Sequence, residues 1–408
     1  MSRNNIVALP KIGNKYMQIN SILVVAMPGH GNFGDDLISL CLTRHLSERF
    51  PSATIFVLKG NQPNPFESVY PRNVTFLEKE WLRKPASYFL RKRKINYAAH
   101  NADLLIVGGG GLFQDTHSAL TVHKWTKVIC KVKSTAVVTA LGVGFGPFQY
   151  PLTKWYLRKV LHAFDHIQVR DKESNDWVNQ LGFRASVAPD IVAGTPVAQI
   201  WPQTKKANRN RKVLGCSLRP GPWISLQSAV DIVYRASTEL ECDVNLFVFE
   251  HRDDGPIELT FAEKISAMLA ERGINSSIYC YGRNTVEEFM AAFGDVDFAI
   301  ACRFHANVIW QLFGVPVMPV SYAPKVESLY PPGKCFTANS LIEAFDKDSR
   351  FKFADHFQII RLDEEYILPN RFEKKTKCSF KAKLLVGALN GFVPINNLWI
   401  HFRRVFKF

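Results

Sequence analysis

The 408-residue sequence holds no C-x-x-C pair, although it carries eight cysteines, at 41, 130, 216, 242, 280, 302, 335 and 378. Scattered in this way, they fit reduced thiols better than a disulfide framework or a zinc site. The first 18 residues lack the apolar core of a signal peptide. No stretch has the uniform apolarity of a membrane span; residues 384–400 are uncharged but contain Asn390, Pro394, Asn396 and Asn397. A cytoplasmic protein is therefore expected. No G-K-[ST] closes a glycine-rich loop, and neither Gly108–Gly111 nor Gly142-x-Gly144-x-Gly146 fits G-x-G-x-x-G. The first absence disfavours P-loop chemistry, those two glycine runs do not point to a nicotinamide site, and no cofactor is expected. No zinc finger, RRM or helix-turn-helix pattern is present, so nucleic acid is not an expected partner.

What is abundant is hydrophobic residues, 47% of the chain, and positive charge, a formal +15. The first supports a large core and two domains of ordinary size. The charge is uneven. Residues 81–94 (WLRKPASYFLRKRK) hold six basic residues and no acid, and residues 371–408 hold nine basic residues and one acid. Such stretches, interleaved with aromatics, suit an anionic membrane surface; the plainer alternative is a solvated helix face and a basic tail.

Short apolar runs alternate with longer amphipathic ones, the rhythm of a parallel sheet covered by helices. Strands are predicted at Ile22–Met27, Thr54–Leu58, Leu104–Val107, Ala136–Leu141 and His166–Val169. Helices are predicted at Asp36–Phe50, Pro85–His100, Ser118–Lys131, Leu152–Ala163 and Lys172–Leu181. Residues 200–212 are polar, basic and aperiodic, and read as a linker. A second series follows, with strands at Val213–Leu218, Val244–Phe249, Ser277–Cys280, Phe298–Cys302 and Val315–Val320. Its helices are predicted at Leu226–Leu240, Ile257–Arg272, Thr285–Phe293 and His305–Phe313. The expected organisation is a Rossmann-like domain over 1–199 on the acceptor side, a linker over 200–212, a second Rossmann-like domain over 213–349 on the donor side, and a basic, aromatic extension over 350–408. Ligands in open α/β sheets bind beyond the carboxyl ends of the strands, which points to the cleft between the two domains.

Candidate chemistry collects at those strand ends. Gly29-His30-Gly31-Asn32-Phe33-Gly34-Asp35-Asp36 follows the first strand. Its glycines permit a tight turn, Asn32 and Gly34 are candidate cleft residues, and Asp35 or Asp36 is expected to cap the next helix. Gly108–Gly111 ends the strand at 104–107, with Asp115 close behind. Gly109, Gly110 and Asp115 are candidate acceptor-side residues; the alternative is a strained turn. Arg170-Asp171 is expected to be a structural pair or cap, and Pro189-Asp190 to be structural. Arg219, at the end of a strand, is a candidate fork for carboxylate or phosphate. Glu250–Asp254 ends the next strand and is ranked lower. Asp295-Val296-Asp297 resembles a metal-binding D-x-D, but it lies at the amino end of its strand and is set aside, so no metal is expected. The segment Asp297–Lys325 is the most informative. Its apolar run stops at Arg303-Phe304-His305, placing a cation and an imidazole where a helix begins and anions are favoured. Tyr322 and Lys325 follow the next strand.

Taken together, GNFGDD, GGGGLFQD, GVGFGP, VRDKES, APDIV, the arginine of SLRP and the block from Asp297 to Lys325 resemble the polysaccharide pyruvyl transferase family over roughly residues 22–330. The resemblance implies a GT-B-like fold. It also implies transfer of a pyruvyl group from phosphoenolpyruvate to a saccharide as a cyclic ketal, with Arg303 and His305 handling the donor and Arg219 and Lys325 as partners. Residue chemistry then makes His305 the candidate acid, because an imidazolium near its ordinary pKa of about 6.5 can protonate the donor's methylene carbon. Asp35 is the candidate base. A lipid-linked saccharide would give the basic stretches a purpose, holding the protein at the inner face of the cell membrane. Two rival readings are a nucleotide-sugar glycosyltransferase of GT-B type and a non-catalytic saccharide- or anion-binding protein. The glutamate pair eight residues apart that marks many retaining glycosyltransferases is missing, since Glu327 is followed by Cys335.

Overall fold

The computed structural model describes residues 11–12, 15–16, 18–78, 94–115, 122, 129, 131–132, 135–195, 201, 209–251, 257–348, 350–360 and 362. The basic stretch at 81–93, most of the helix predicted at 118–131, most of the 200–212 linker, residues 252–254 and the tail from 371 lie outside the described residues. Of the helix predicted over 85–100, residues 94–101 are described and helical.

Two parallel sheets carry the molecule. The first contains β1 (Ser21–Val25), β2 (Thr54–Lys59), β3 (Val74–Glu78), β4 (Leu104–Phe113), β5 (Val137–Phe145), β6 (His166–Val169) and β7 (Ser186–Val187), in the spatial order β3-β2-β1-β4-β5-β6-β7. The second contains β8 (Lys212–Ser217), β9 (Cys242–Val248), β10 (Ser276–Cys280), β11 (Phe298–Ala301) and β12 (Val317–Pro319), in the order β10-β9-β8-β11-β12. Each order reverses direction once, between β1 and β4 and between β8 and β11. Such a switch point leaves a crevice beyond the strand ends. The central strands are apolar runs buried on both faces, as crossover helices on both sides require.

The helices that matter most are α1 (Phe33–Arg49), α2 (Pro151–Leu161), α3 (Lys172–Gln180), α4 (Leu226–Glu239), α5 (Ile257–Glu271), α6 (Val286–Gly294) and α7 (Phe304–Leu312). Helix α1 begins three residues earlier than expected, and neither Asp35 nor Asp36 caps it. Asn32 does, its Oδ1 accepting from Gly34 N at 2.9 Å and Asp35 N at 3.4 Å. The two aspartates sit in the first turn, where the helix dipole favours them, and their side chains are free for tertiary work.

The glycine run also departs from expectation. Strand β4 continues through it to Phe113, with its register against β5 shifting between Gly110 and Phe113. Gly109 has φ +78°, and a Cβ there would collide with Ile38 of α1. The glycine thus lets α1 lie directly on the strand backbone.

One apolar cluster joins the two halves, running from Leu40 and Leu42 of α1 to Phe247, Phe289 and Trp310 of the second sheet and its helices. Phe33 is its hinge-point. The Phe33 ring lies 4.9 Å from Phe249, 5.1 Å from Tyr281 and 5.2 Å from Phe289, centroid to centroid. Beside it, Phe33 N donates to Phe249 O and His251 N to Gly31 O, each at 2.9 Å. No helix among the described residues is long and apolar enough to cross a membrane.

Candidate active site

A cleft opens where the two switch points face each other. It holds about 480 Å³ of non-atom space, part of it open to solvent. One wall comes from the first sheet: Asn32, Gly34 and Asp35 at the start of α1, Gly110 and Gly111 in β4, and Arg170 just after β6. The other comes from the second: Phe249, Arg303, Phe304, His305, Tyr322 and Lys325. Of the residues singled out in the sequence, Asn32, Gly34, Asp35, Gly110, Arg303, His305 and Lys325 converge here.

Three others do not line the cleft. Gly109 packs on α1. Asp115 is buried and accepts from Gln149 N at 2.8 Å and Tyr150 N at 3.0 Å, tying down the approach to α2. Arg219 stands behind Tyr322, 5.9 Å from the ring centroid, with Nη2 3.8 Å from Glu250 Oε2.

The arginine at the end of β11 is more committed than its sequence context suggests. Arg303 is buried; its Nε donates to Glu258 Oε1 at 3.3 Å, and its Nη2 donates to Glu250 Oε2 at 3.0 Å and also to Glu258 Oε2. Burial alone would lower its pKa, but the two glutamates outweigh that and hold it firmly protonated. With Arg219, these groups make a compensated cluster of two cations and two anions. Glu258, in the middle of the first turn of α5, has no local sequence signal for this role.

Two other cations line the cleft, Lys325 and Arg170. Lys325 has no carboxylate within ion-pair distance among the described residues; its Nζ lies 5.3 Å from the Tyr322 ring centroid. Arg170 reaches the cleft from β6 over the Phe304 ring, 4.9 Å from its centroid. Its Nε is 3.3 Å from Asp171 Oδ2, and its Nη1 is 3.5 Å from Asp190 Oδ2. The pair and cap expected of Arg170-Asp171 are present, with Asp171 capping α3 through Ser174 N at 2.7 Å. The cleft position of Arg170 was legible by the strand-end rule that singled out Arg219 and Arg303.

His305 projects from the second half into the first. A Cβ on Gly34 would collide with its Nδ1, so the absent side chain makes the room for the ring. Its Nε2 is 3.7 Å from Asp190 Oδ1. Burial would raise the Asp190 carboxyl, but His305, Arg170 and the Val192 N–H together bring it below the ordinary carboxylate value. Burial dominates at Asp35 and raises its pKa, assisted by Glu250 and opposed by His305, Lys325 and Arg303. Asp36, behind it, is fully buried and is pushed up to about 7, mainly by burial. Burial likewise pushes the Cys302 thiol up to about 12, which removes it as a nucleophile near neutral pH.

The D-x-D pair is a structural clamp. Arg209 binds Asp295 through Nη1 and Asp297 through Nη2, the latter at 2.6 Å. Among the described residues no group of three His, Cys, Asp or Glu side chains is arranged to hold a metal ion. The cleft therefore sets Lys325 and Arg170 beside an imidazole and a carboxyl of raised pKa.

A profile of the polysaccharide pyruvyl transferase family matches residues 32–324, most of both sheets and every residue of the cleft except Lys325. No curated protein sequence matches. Solved structures with similar folds include Anabaena Alr3699/HepE in complex with UDP and glucose, at 12% identity and TM-score 0.51, covering 90% of this chain and all of that one. Neisseria meningitidis UDP-GlcNAc 2-epimerase bound to UDP-GlcNAc is similar at 10% identity and TM-score 0.52, again over 90% and 100%. A putative UDP-N-acetylglucosamine 2-epimerase from Listeria monocytogenes is similar at 14% identity and TM-score 0.51, over 89% and 94%. At these identities the likeness establishes a GT-B-like fold of two Rossmann-type domains.

Proposed function

The chain belongs to the polysaccharide pyruvyl transferase family, and from that membership and the cleft we propose that it moves the pyruvyl group of phosphoenolpyruvate onto two hydroxyls of a saccharide as a cyclic ketal. The observation that carries the reading is the meeting of His305, Lys325 and Arg170 around one cleft. Phosphoenolpyruvate brings a carboxylate and a phosphate, and forming a ketal requires a proton on its methylene carbon. His305, as imidazolium, supplies that proton, and C2 becomes electrophilic. One sugar hydroxyl attacks C2, phosphate departs, and the second hydroxyl closes the ring. Lys325 and Arg170 face the donor's anionic groups and the leaving phosphate, where preorganised cations act most strongly. Arg303 and Arg219 shape the field from behind, their charge largely taken up by Glu250 and Glu258. Asp35, whose raised pKa makes it the better proton acceptor, takes a hydroxyl proton.

The test is release of inorganic phosphate from phosphoenolpyruvate across a panel of free and lipid-linked saccharides. His305→Ala should lower turnover by about 10²–10⁴-fold, the usual weight of acid–base catalysis, while the protein stays folded. Near-normal turnover in the folded variant would remove His305 from the mechanism. Release of a nucleoside diphosphate from a nucleotide sugar, with none of phosphate, would replace the reading with the glycosyltransferase that the GT-B-like fold also accommodates.

We further propose that the acceptor is lipid-linked and that the basic stretches hold the protein at an anionic leaflet, each basic residue adding up to about 1 kcal/mol. The full chain should float with anionic vesicles and a chain ending before Arg371 should float less. Equal flotation of the two would dismiss the tail's part.

A further inference from the structure

Asp190 lies three residues past β7 and is buried. Its sequence context, Pro189-Asp190 at the end of a domain, suggests only a structural role. Part of that role is present: Oδ1 accepts from Val192 N at 3.0 Å. The rest of its environment is unusual. Asp190 Oδ2 and His305 Nε2 are both shut off from solvent without a hydrogen-bond partner, yet the two side chains face each other, Nε2 3.7 Å from Oδ1. A buried polar atom left unsatisfied is costly; a short movement of the ring toward Oδ1 gives Nε2 its acceptor, while Oδ2 faces Arg170 Nη1 at 3.5 Å. Catalytic hydrogen bonds are often long before substrate is bound and tighten afterwards.

The ring is fixed from both sides. Gly34 borders its Nδ1 edge, and Phe304 packs edge-on at 5.2 Å. With Nε2 turned toward Asp190, Nδ1 is the nitrogen left to the cleft. The other charged groups around the ring are Asp35 and Glu250 as anions and Arg170, Arg303 and Lys325 as cations. Among the described carboxylates, Asp190 is the one within ion-pair distance of the ring.

We propose that Asp190 is the positioning residue for His305: it receives the Nε2 proton in a hydrogen bond, so that Nδ1 presents the proton that is transferred. This rests on the reading of His305 as the acid. In the step, the Nδ1–H proton bonds to the methylene carbon, which supplies the electron pair of its double bond. The ring is left neutral with its remaining proton on Nε2, held by Asp190. The C2–O bond to phosphate later breaks with its electron pair on the phosphate. Of the two protons lost by the hydroxyls, one restores Nδ1 and the other, taken first by Asp35, leaves with phosphate, so charge and mass balance. Arg170, shared between Asp190 and the cleft, couples the positioning pair to the donor's charge.

The test reads the ring directly and needs no turnover. In nitrogen-15 histidine spectra of the full chain, with His305→Gln used for assignment, the neutral His305 ring should carry its proton on Nε2. A neutral ring protonated mainly on Nδ1 would overturn the proposal. Asp190→Asn should shift the ring toward the other tautomer and lower kcat by at least about 10²-fold, as loss of an orienting carboxylate does elsewhere. KM for phosphoenolpyruvate should stay within a few-fold, and Asp190→Glu should recover part of the rate. Unchanged tautomer and kcat in Asp190→Asn would also overturn it. If the wild-type chain releases no phosphate from phosphoenolpyruvate, the functional reading fails, while the tautomer of His305 still decides the role of Asp190.

Discussion

The site depends on one missing side chain. Gly34 occupies the first turn of α1, where alanine is the better helix former by up to about 1 kcal/mol, and nothing in the backbone there demands glycine. What demands it is His305, whose Nδ1 lies where a Cβ would go. Gly34→Ala is therefore expected to lower thermal stability modestly, since overpacking against the ring costs about 1–3 kcal/mol and outweighs the helix-propensity gain, and to lower kcat by about 10²-fold or more by displacing the ring. Calorimetry and a phosphate-release assay on the same preparation check both halves; a variant with normal turnover would place the ring's working position elsewhere. At this scale the sequence was legible for His305, Lys325 and Asp35, because strand ends followed by helix starts mark the cleft. It was not legible for Asp190 or Glu258. A carboxylate that matters through a partner 115 or 45 positions away leaves no local mark. The same blindness made Arg303 look like a free clamp, since its two glutamates lie on other elements.

Among the elements, α1 does more than cover a sheet. Its first turn carries Asn32 as cap, Asp35 toward the cleft and Asp36 into the interior. Asp36 accepts from Gly29 N at 2.6 Å and Tyr281 OH at 2.7 Å, joining the loop before α1 to the turn after β10. Its pKa is raised from 3.8 to about 7, first by burial and then by Asp35. Between those values the folded protein binds a proton that the unfolded chain has lost. The contribution is therefore fully present below about pH 4 and is lost as pH rises toward 7. The displacement corresponds to roughly 4 kcal/mol. Denaturant unfolding across this range should show the decline, superposed on the other carboxylates, and Asp36→Asn should flatten it. An identical slope in Asp36→Asn would show that Asp36 titrates normally. Element positions were mostly legible, because apolar runs of strand length stood between amphipathic ones. The exceptions are physical. Strands β4 and β5 run on through their glycines because neighbouring strands keep pairing with them. The edge strand β3, VTFLE, fully buries only Leu77 and so shows no apolar run, and β7 is two residues long.

On the scale of the whole molecule, the two βα series were legible but their junction was not. Nothing in the pattern around Phe33 distinguishes it from an ordinary residue at a helix start. Yet it belongs to the first half and is fully buried with its ring against Phe249, Tyr281 and Phe289 of the second, Phe66 of its own half lying 5.7 Å away. The ends of β1 and β9 lie close enough for Asn32 and Glu250 to form an isolated antiparallel bridge. The cleft is built across this junction, so its geometry is only as fixed as the junction is. Phe33→Ala removes a ring from a close-packed aromatic cluster, a change of about 3–5 kcal/mol in typical cores. Because the lost contacts lie between the halves rather than within either, the loss should appear as uncoupling. Tryptophan fluorescence offers a probe in each half, Trp177 in the first and Trp310 in the second, read one at a time after replacing the other tryptophans with phenylalanine. Coincident unfolding transitions are expected with Phe33 present, and separated ones, with a lowered midpoint, in Phe33→Ala. Activity should fall more steeply than stability, since His305 reaches Gly34 and Asp190 only while the halves are closed. Coincident transitions with an unchanged midpoint would mean that the cleft is held by contacts other than this ring.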